Sequence, residues 1–303
     1  MIMISLIGEQ PIPNLLPIRY QSPDAVVLAY TDWTQAAAER LERLLPEDCE
    51  AIPCHVSPYD IQETIRALQT LIKERSWVTA DLLFNLTGGT KAMALAAYVA
   101  AVDHMASFLY LQSEGRKTRL YRYDFDADGI PRISTDQLLP GLITIDDYLR
   151  AYVDGYRVTR FAKGGPGGAF ERVIYRALKP MMDEIIAGVS LTSELDVDLI
   201  VRCDNQVGLI EAKMGTKVKK GIDQLNTAGG QRFLGTYTRK ILVSDQQWDD
   251  AFTNHEELAE ARGITVVQLP SFGTSQQLSP EDVECLQRTV CQELGREANV
   301  CSS

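Results

Sequence analysis

Histidine is scarce in this 303-residue chain: His55, His104 and His255 are the only three. The six cysteines, at 49, 54, 203, 285, 291 and 301, form no pair of CxxC motifs. Together these shortages argue against a zinc centre and a disulfide framework, and they predict a cytoplasmic protein. No run of 18 apolar residues is present, so no membrane span is expected. The opening MIMISLIGEQPIPN lacks a basic leader and reaches Glu9 and Gln10 too early for a secretory signal; it reads as a first core strand. No GxGxxG follows Met3 to Ile7, which removes the fingerprint of a dinucleotide oxidoreductase, and KGGPGG at 163–168 does not match a Walker A loop. Positive charge is also short, with 30 Lys and Arg against 41 Asp and Glu and a formal net charge of -11.

What is present alternates. Apolar runs at Met3–Ile7, Ala25–Tyr30, Ala51–Val56 and Leu82–Asn85 read as strands. Thr34–Leu45, Asp60–Ile72 and Lys91–Val102 read as the helices between them, and Phe108–Gln112 and Thr118–Tyr123 as two further strands. Strands separated by helices of this length predict an α/β unit with a mostly parallel sheet, whose ligand sits at the carboxyl ends of the strands. DFDADGI, Asp124 to Ile130, begins like an EF-hand loop but has Thr135 where the bidentate glutamate belongs, so an acidic turn is expected. KGGPGG reads as a turn that releases a second domain. Phe170–Ile186 is then expected as a long helix, Asp196–Cys203 and Val207–Lys213 as a hairpin around Asp204-Asn205, and Gly221–Leu234 as a helix. A strand at Ile241–Ser244, a helix near Trp248–Ala261, a strand at Thr265–Leu269 and a tail helix at Glu281–Leu294 complete a second α/β unit. The expected boundaries are a domain over 1–145, a linker over 146–168 and a second domain over 169–303.

Within LIEAK, Glu211 and Lys213 are two apart on a strand and share a face. Glu194, Asp196 and Asp198 likewise share a face of ELDVDLIV. A hairpin brings these acids together, and clustered carboxylates are stable when a hard divalent cation, magnesium or manganese, neutralises them. A metal held by one Asp and Glu211 polarises a phosphodiester, and Lys213 orients water and stabilises charge on phosphorus. Glu171, at the start of the preceding helix, is a further candidate. Between Glu211 and Lys240 lie seven basic residues, Lys213, Lys217, Lys219, Lys220, Arg232, Arg239 and Lys240, opposed by Glu211 and Asp223 alone. That local surplus in an acidic chain marks a candidate nucleic-acid surface.

The order Glu171, Asp, ExK resembles the PD-(D/E)xK nuclease superfamily over about Gly165 to Leu269. The resemblance implies a restriction-endonuclease-like fold, Asp196 as the metal acid with Asp198 as its rival, catalytic Glu171, Glu211 and Lys213, and Gln224 as the glutamine of the helix after ExK. A tight two-residue turn at Asp204-Asn205 would pair Asp198 with Glu211 and Asp196 with Lys213, and the sequence leaves that register open.

In NLTGGTK, Asn85 ends a strand, Thr87 and Thr90 offer hydroxyls, Gly88 and Gly89 allow close backbone approach, and the next helix N-terminus favours an anion. With SLIGEQPIPNLLPIRY, this stretch resembles the ligand-sensing CARF domain, and the whole chain resembles the CARF-plus-nuclease effectors of type III CRISPR systems. The resemblance implies a Rossmann-like CARF domain followed by a metal-dependent endonuclease acting on DNA and/or RNA in antiviral defence, switched on by a cyclic oligoadenylate bound across a homodimer. It implies ring contacts at Gly8, Gln10, Asn85, Thr87, Gly88, Gly89 and Lys91, with Thr31 and Asp32 of the Thr31-Asp32-Trp33 loop completing the pocket. A shared site on a two-fold axis suits cyclic tetra-adenylate. The alternative expectation is a non-enzymatic nucleotide-sensing regulatory or nucleic-acid-binding protein whose second half is inactive.

Overall fold

A computed structural model describes residues 1–161, 164–230, 233–248 and 252–296. The chain divides into two units, Met1–Leu142 and Ile143–Ser303.

In the first unit a seven-stranded sheet has the order β3-β2-β1-β4-β5-β6-β7. Its strands are β1 (Ile2–Leu6), β2 (Ala25–Tyr30), β3 (Glu50–His55), β4 (Leu82–Asn85), β5 (Ser107–Glu114), β6 (Lys117–Phe125) and β7 (Pro131–Leu138). The first five are parallel, and β6 and β7 add antiparallel. The crossovers are α1 (Ile12–Gln21), α2 (Gln35–Glu42), α3 (Ile61–Glu74) and α4 (Lys91–Asp103). Continuous apolar runs such as AVVLAY suit strands covered on both faces, and β2 is buried along nearly its whole length. One core cluster gathers Ile4, Leu6, Val27, Phe84, Met93, Ala97 and Phe108. Two elements went unread in the sequence. Helix α1 carries Pro13 in its first turn, where no donor is lost, and Pro17 inside it. Strand β7 is exposed at every residue after Pro131, so it lacks the buried–exposed alternation that announces a strand.

DFDADGI is a turn, as expected. Asp126 Oδ1 accepts from the amides of Asp128 (3.1 Å) and Ile130 (2.9 Å), and its other oxygen accepts from Arg132.

The second unit holds a six-stranded sheet of order β13-β12-β11-β10-β9-β8. Its strands are β8 (Arg157–Val158), β9 (Glu184–Ser190), β10 (Asp196–Cys203), β11 (Gln206–Lys213), β12 (Arg239–Ser244) and β13 (Ile264–Gln268). The helices are α5 (Ile145–Tyr152), α6 (Gly165–Leu178), α7 (Val218–Ala228), α8 (Thr253–Ala261), α9 (Pro270–Ser275) and α10 (Pro280–Glu293). Phe170, Ile174 and Leu178 of α6 and Leu286 and Val290 of α10 cover the face made by Leu199, Val201, Ile210, Ile241 and Val243.

The stretch expected as a linker is largely structured. Helix α5 belongs to the second unit: the buried Tyr148 hydroxyl donates to Leu234 O (2.9 Å), and the Ile145 amide donates to Glu184 Oε2 (2.7 Å). The glycines of 165–168 form the first turn of α6, because Pro166 stands in the opening turn where a helix tolerates it. That helix stops at Leu178 instead of running to Ile186. Pro180 lies just beyond it, and Glu184–Ser190 is the strand that pairs with β10. Lys163 and Arg232 lie outside the described residues.

Candidate ligand cavity and carboxylate–lysine cluster

In the first unit β1 and β4 are adjacent, and the chain leaves them in opposite directions across the sheet. This is the topological switch point of an open α/β sheet, where a crevice forms beyond the strand ends. A cavity of about 520 Å³ lies there. Ile7, Gly8 and Glu9 after β1 line it, as do Thr31, Trp33 and Thr34 after β2, Pro58 and Tyr59 after β3, and Gly89, Thr90 and Met93 around the start of α4.

The glycine pair is explained by space and by backbone. A Cβ on Gly88 would stand 2.0 Å from the carbonyl oxygen of Leu6, and Gly89 has φ +71°. Thr90 caps α4, its Oγ1 accepting from Met93 N (3.2 Å) and donating to Pro58 O (2.5 Å). Beneath the loop, buried polar side chains answer one another. Asn85 Nδ2 donates to Asn14 Oδ1 (3.2 Å), Thr87 Oγ1 donates to Asn85 Oδ1 (2.7 Å), and the Leu111 amide donates to Thr87 Oγ1 (2.9 Å).

In the second unit the register Leu199↔Ile210 puts Asp198 opposite Glu211 one step further along the hairpin. Asp198 Oδ2 accepts from Ala212 N (2.8 Å) and from Lys213 Nζ (3.2 Å), and Lys213 Nζ also bonds Glu211 Oε2. Glu211 is 1% exposed, and its other oxygen, Oε1, is buried with no hydrogen-bond partner. Burial, reinforced by the Asp198 charge, pushes Glu211 up to about 8 against the pull of Lys213. Burial also opposes the Lys213 charge, yet the two carboxylates hold its ammonium above the ordinary value. One ammonium therefore serves two carboxyl groups, and Glu211, raised to about 8, keeps its proton at neutral pH unless a cation takes that proton's place. The lysine stem is clamped: a Cβ on Gly221 of α7 would come within 2.7 Å of both Lys213 Cγ and Leu242 Cδ1. At the same strand ends, Asp245 Oδ1 accepts from the Gly215 amide (2.8 Å) and fixes the turn that leads to Lys217.

The family of the Card1 CARF domain matches residues 2–148. The first unit is a CARF domain. Three solved structures are similar to the chain as a whole. Can2 from Sulfobacillus thermosulfidooxidans, in complex with cyclic tetra-adenylate, has a TM-score of 0.71 at 17% identity, covering 89% of this chain and 96% of its own. Protein VC1899 from Vibrio cholerae has a TM-score of 0.66 at 13% identity, covering 97% and 98%. A type III CRISPR defence DNA nuclease activated by cyclic oligoadenylate has a TM-score of 0.56 at 16% identity over 86% of this chain; the match spans about half, 51%, of that nuclease. At these identities the likeness is one of fold. No curated protein matches the chain.

Of the residues expected at the CARF ligand, Gly8, Thr31 and Gly89 line the cavity. Gly88 supports Gly89 from below, while the side chains of Asn85 and Thr87 are engaged in the buried network. Asp32 is exposed, its Oδ1 2.8 Å from His55 Nε2. Gln10 and Lys91 are not among the lining residues, and Lys91 is exposed at the start of α4. Tyr59 was missed in the sequence; the available signal was a lone aromatic in a loop after a strand at the ligand end of the sheet. Asn14 was missed too, as a polar residue inside the apolar IPNLLPI. In the second unit Asp198, Glu211 and Lys213 come together, whereas Asp196 is exposed at the start of β10, paired with Ser190. Glu171 is buried on α6, the helix whose Phe170 and Ile174 cover the other face of the sheet. Gln224 lies one turn beyond Gly221, its Oε1 buried and unpartnered. Lys217, Lys219 and Lys220 are exposed, while Lys240 is turned inward to Arg262 O. Among the described residues no group of three or more His, Cys, Asp or Glu is arranged to hold a metal, and no helix is long and apolar enough to cross a membrane.

Proposed function

We propose that the protein is a cyclic-oligoadenylate-activated, metal-dependent nuclease that hydrolyses phosphodiester bonds in DNA and/or RNA as part of antiviral defence. One observation carries the catalytic half: Glu211, buried in the sheet, keeps a carboxylate oxygen unanswered beside Asp198 and Lys213. A structural ion pair would satisfy both oxygens. Asp198 and Glu211 Oε1 would hold magnesium or manganese, which take hard oxygen donors. When bound, such a cation supplies Lewis-acid polarisation of the scissile phosphodiester.

The chain's own groups do the rest. Lys213, held protonated between two carboxylates, donates to the phosphate as negative charge accumulates on it. Gly221 permits α7 to press on the lysine stem and so aims the ammonium. Lys217, Lys219 and Lys220 hold the nucleic-acid backbone away from the cut. In this reading Asp198 replaces Asp196 as the metal acid, and Glu171 stays a candidate for positioning.

The sensing half rests on the CARF family match, the cavity at the switch point and the resemblance to a structure holding cyclic tetra-adenylate. A homodimer is the expected form. Helix α4 is apolar on all sides, and Leu95 and Val99, one turn apart, are 56% and 38% exposed. An all-round apolar helix is otherwise a buried one, so a second copy is the natural cover.

The test is incubation with a panel of cyclic oligoadenylates, magnesium or manganese, and labelled DNA and RNA, with calorimetry alongside. Cleavage that needs both ring and metal, and one tetra-adenylate ring per two chains, is expected. Absence of cleavage under every combination would sink the nuclease reading, and one ring per chain would sink the shared site.

A further inference from the structure

We infer that Trp33 and Tyr59 are the base-stacking clamps of the cavity, each taking the face of an adenine. This rests on the ligand reading above and adds the recognition chemistry to it.

Two large aromatics line one cavity, yet Trp33 is 84% exposed and Tyr59 79% exposed. Neither serves the core, and each leaves in water an apolar face that a flat ring would cover. Their backbones, by contrast, are fastened. The Thr31 amide donates to Thr34 Oγ1 (3.0 Å) and the Thr34 amide to Thr31 O (2.9 Å), closing the turn that presents Trp33. Ser57 Oγ accepts from the amides of Tyr59 (3.4 Å) and Asp60 (3.0 Å), and Asp60 caps α3 through Glu63 N (2.9 Å). The bond from Thr90 to Pro58 O ties that second turn to the glycine loop. Each backbone is fixed before binding, which lowers the ordering cost and leaves only the side-chain rotamer to settle.

Charge points the same way. Among the described residues that line the cavity, Glu9 is the only charged one, and its charge is of the sign that repels phosphate. Affinity for a polyanionic ring must then come from backbone amides near the start of α4 and from base faces. A purine offers a broad π-face, and stacking on an aromatic does not depend on neutralising phosphate.

The test uses the full-length protein, cyclic tetra-adenylate, calorimetry and tryptophan fluorescence. Alanine substitution of one stacking aromatic costs roughly 5-fold or more per base. Two-fold symmetry repeats the contact, so Trp33→Ala and Tyr59→Ala should each weaken ring binding by about 30-fold. Trp33→Phe and Tyr59→Phe should retain most of it. Ring binding should change the emission of the wild type, and Trp33→Phe should remove that change while Trp77 and Trp248 remain. Wild-type binding with both alanine variants unaltered would overturn the clamps and leave the ligand reading intact. Failure of the wild type to bind any ring would overturn the ligand reading itself, and the clamps with it.

Discussion

Beneath the CARF cavity, Asn85 and Thr87 spend their polar atoms on each other, on Ser5 and Asn14 and on the Leu111 amide; in the second unit, Glu211 keeps one buried oxygen without a hydrogen-bond partner. The first arrangement is a scaffold. It fixes a glycine loop at the edge of the cavity. The second is a buried carboxyl raised to about 8, which carries its proton at neutral pH when no cation is beside it. The two clusters therefore differ in kind: neutral amides and hydroxyls beneath the cavity, where Asn14 Nδ2 is itself unpartnered, and titratable carboxyls beside a lysine in the second unit.

The largest expected effect tests that separation directly. Lys213→Ala removes a charge donor from the cluster and should lower turnover at saturating substrate by ~100-fold or more. Glu211→Gln and Asp198→Asn should abolish metal-dependent cleavage, with ring binding unchanged in both. Asp196→Asn should stay active, because Asp196 is exposed and outside the cluster. Single-turnover rates with calorimetry check all four. A dead Asp196→Asn with an active Asp198→Asn would return the metal to the other carboxylate.

Glycine substitutions break the two regions differently. In Gly88→Ala the new Cβ meets a backbone oxygen 2.0 Å away, and backbone cannot step aside cheaply. The CARF unit should lose about 3 kcal/mol or more of stability, and ring binding should go with it. In Gly221→Ala the new Cβ meets side-chain atoms of Lys213 and Leu242 at 2.7 Å. Those can shift, so stability should fall by roughly 1–2 kcal/mol while the displaced ammonium lowers the rate by ~10- to 100-fold. Thermal unfolding and cleavage rates together distinguish the two outcomes.

The sequence made the parallel half of each sheet legible because strands buried on both faces are written as unbroken apolar runs, as in AVVLAY and the ILV of β12. It showed the hairpin and its turn at Asp204-Asn205 but left the register open; the pairing of Leu199 with Ile210 is what sets Asp198 opposite Glu211. The preference for Asp196 came from the resemblance, and sequence spacing alone had no way to show which of two acids on one face lies deeper. Strand β9 was hidden because EIIAGVS continues the apolar content of α6, with Pro180 as the only break. Strand β7 was hidden because an exposed edge has no apolar period. Tyr59 escaped because its role comes from a loop whose place is set by the sheet order, which lies outside any local window.

A smaller effect is expected from charge at a distance from the cluster. Lys217, Lys219 and Lys220 are exposed and lie outside the hydrogen-bonded cluster of Asp198, Glu211 and Lys213. Replacing all three by alanine should flatten the salt dependence of substrate binding by about two to three units in log K against log salt. The rate should recover when substrate is raised. Equal loss of affinity in Lys213→Ala, without a selective rate loss, would erase the proposed division between chemistry and grip.

The smallest effect comes from a carboxylate that, unlike Glu211, is fully answered. Burial works against the Asp183 charge, but Arg296, the Asp204 amide and Arg202 together hold its carboxyl below its ordinary value of 3.8. Its Oδ2 accepts from the Asp204 amide at 2.7 Å, and Arg296 bonds Oδ1. A folded-state value lower than the unfolded one means that the unfolded chain binds the proton more tightly. The stabilisation is therefore fully present above about pH 4–5 and is lost as pH falls through the folded value. Asp183→Asn should cost roughly 1–2 kcal/mol at neutral pH, the usual worth of hydrogen bonds to a charged group, and much less near pH 3. Cleavage rate and ring binding should not change. Glu211→Gln, whose parent carboxylate is raised and half-answered, should cost the metal-free protein little or no stability at pH 7 while abolishing cleavage. Denaturant unfolding of both variants at pH 3 and pH 7, without metal, reads the contrast. If Asp183→Asn were as harmless to stability as Glu211→Gln, the distinction between an answered and an unanswered carboxylate would lose its physical basis here.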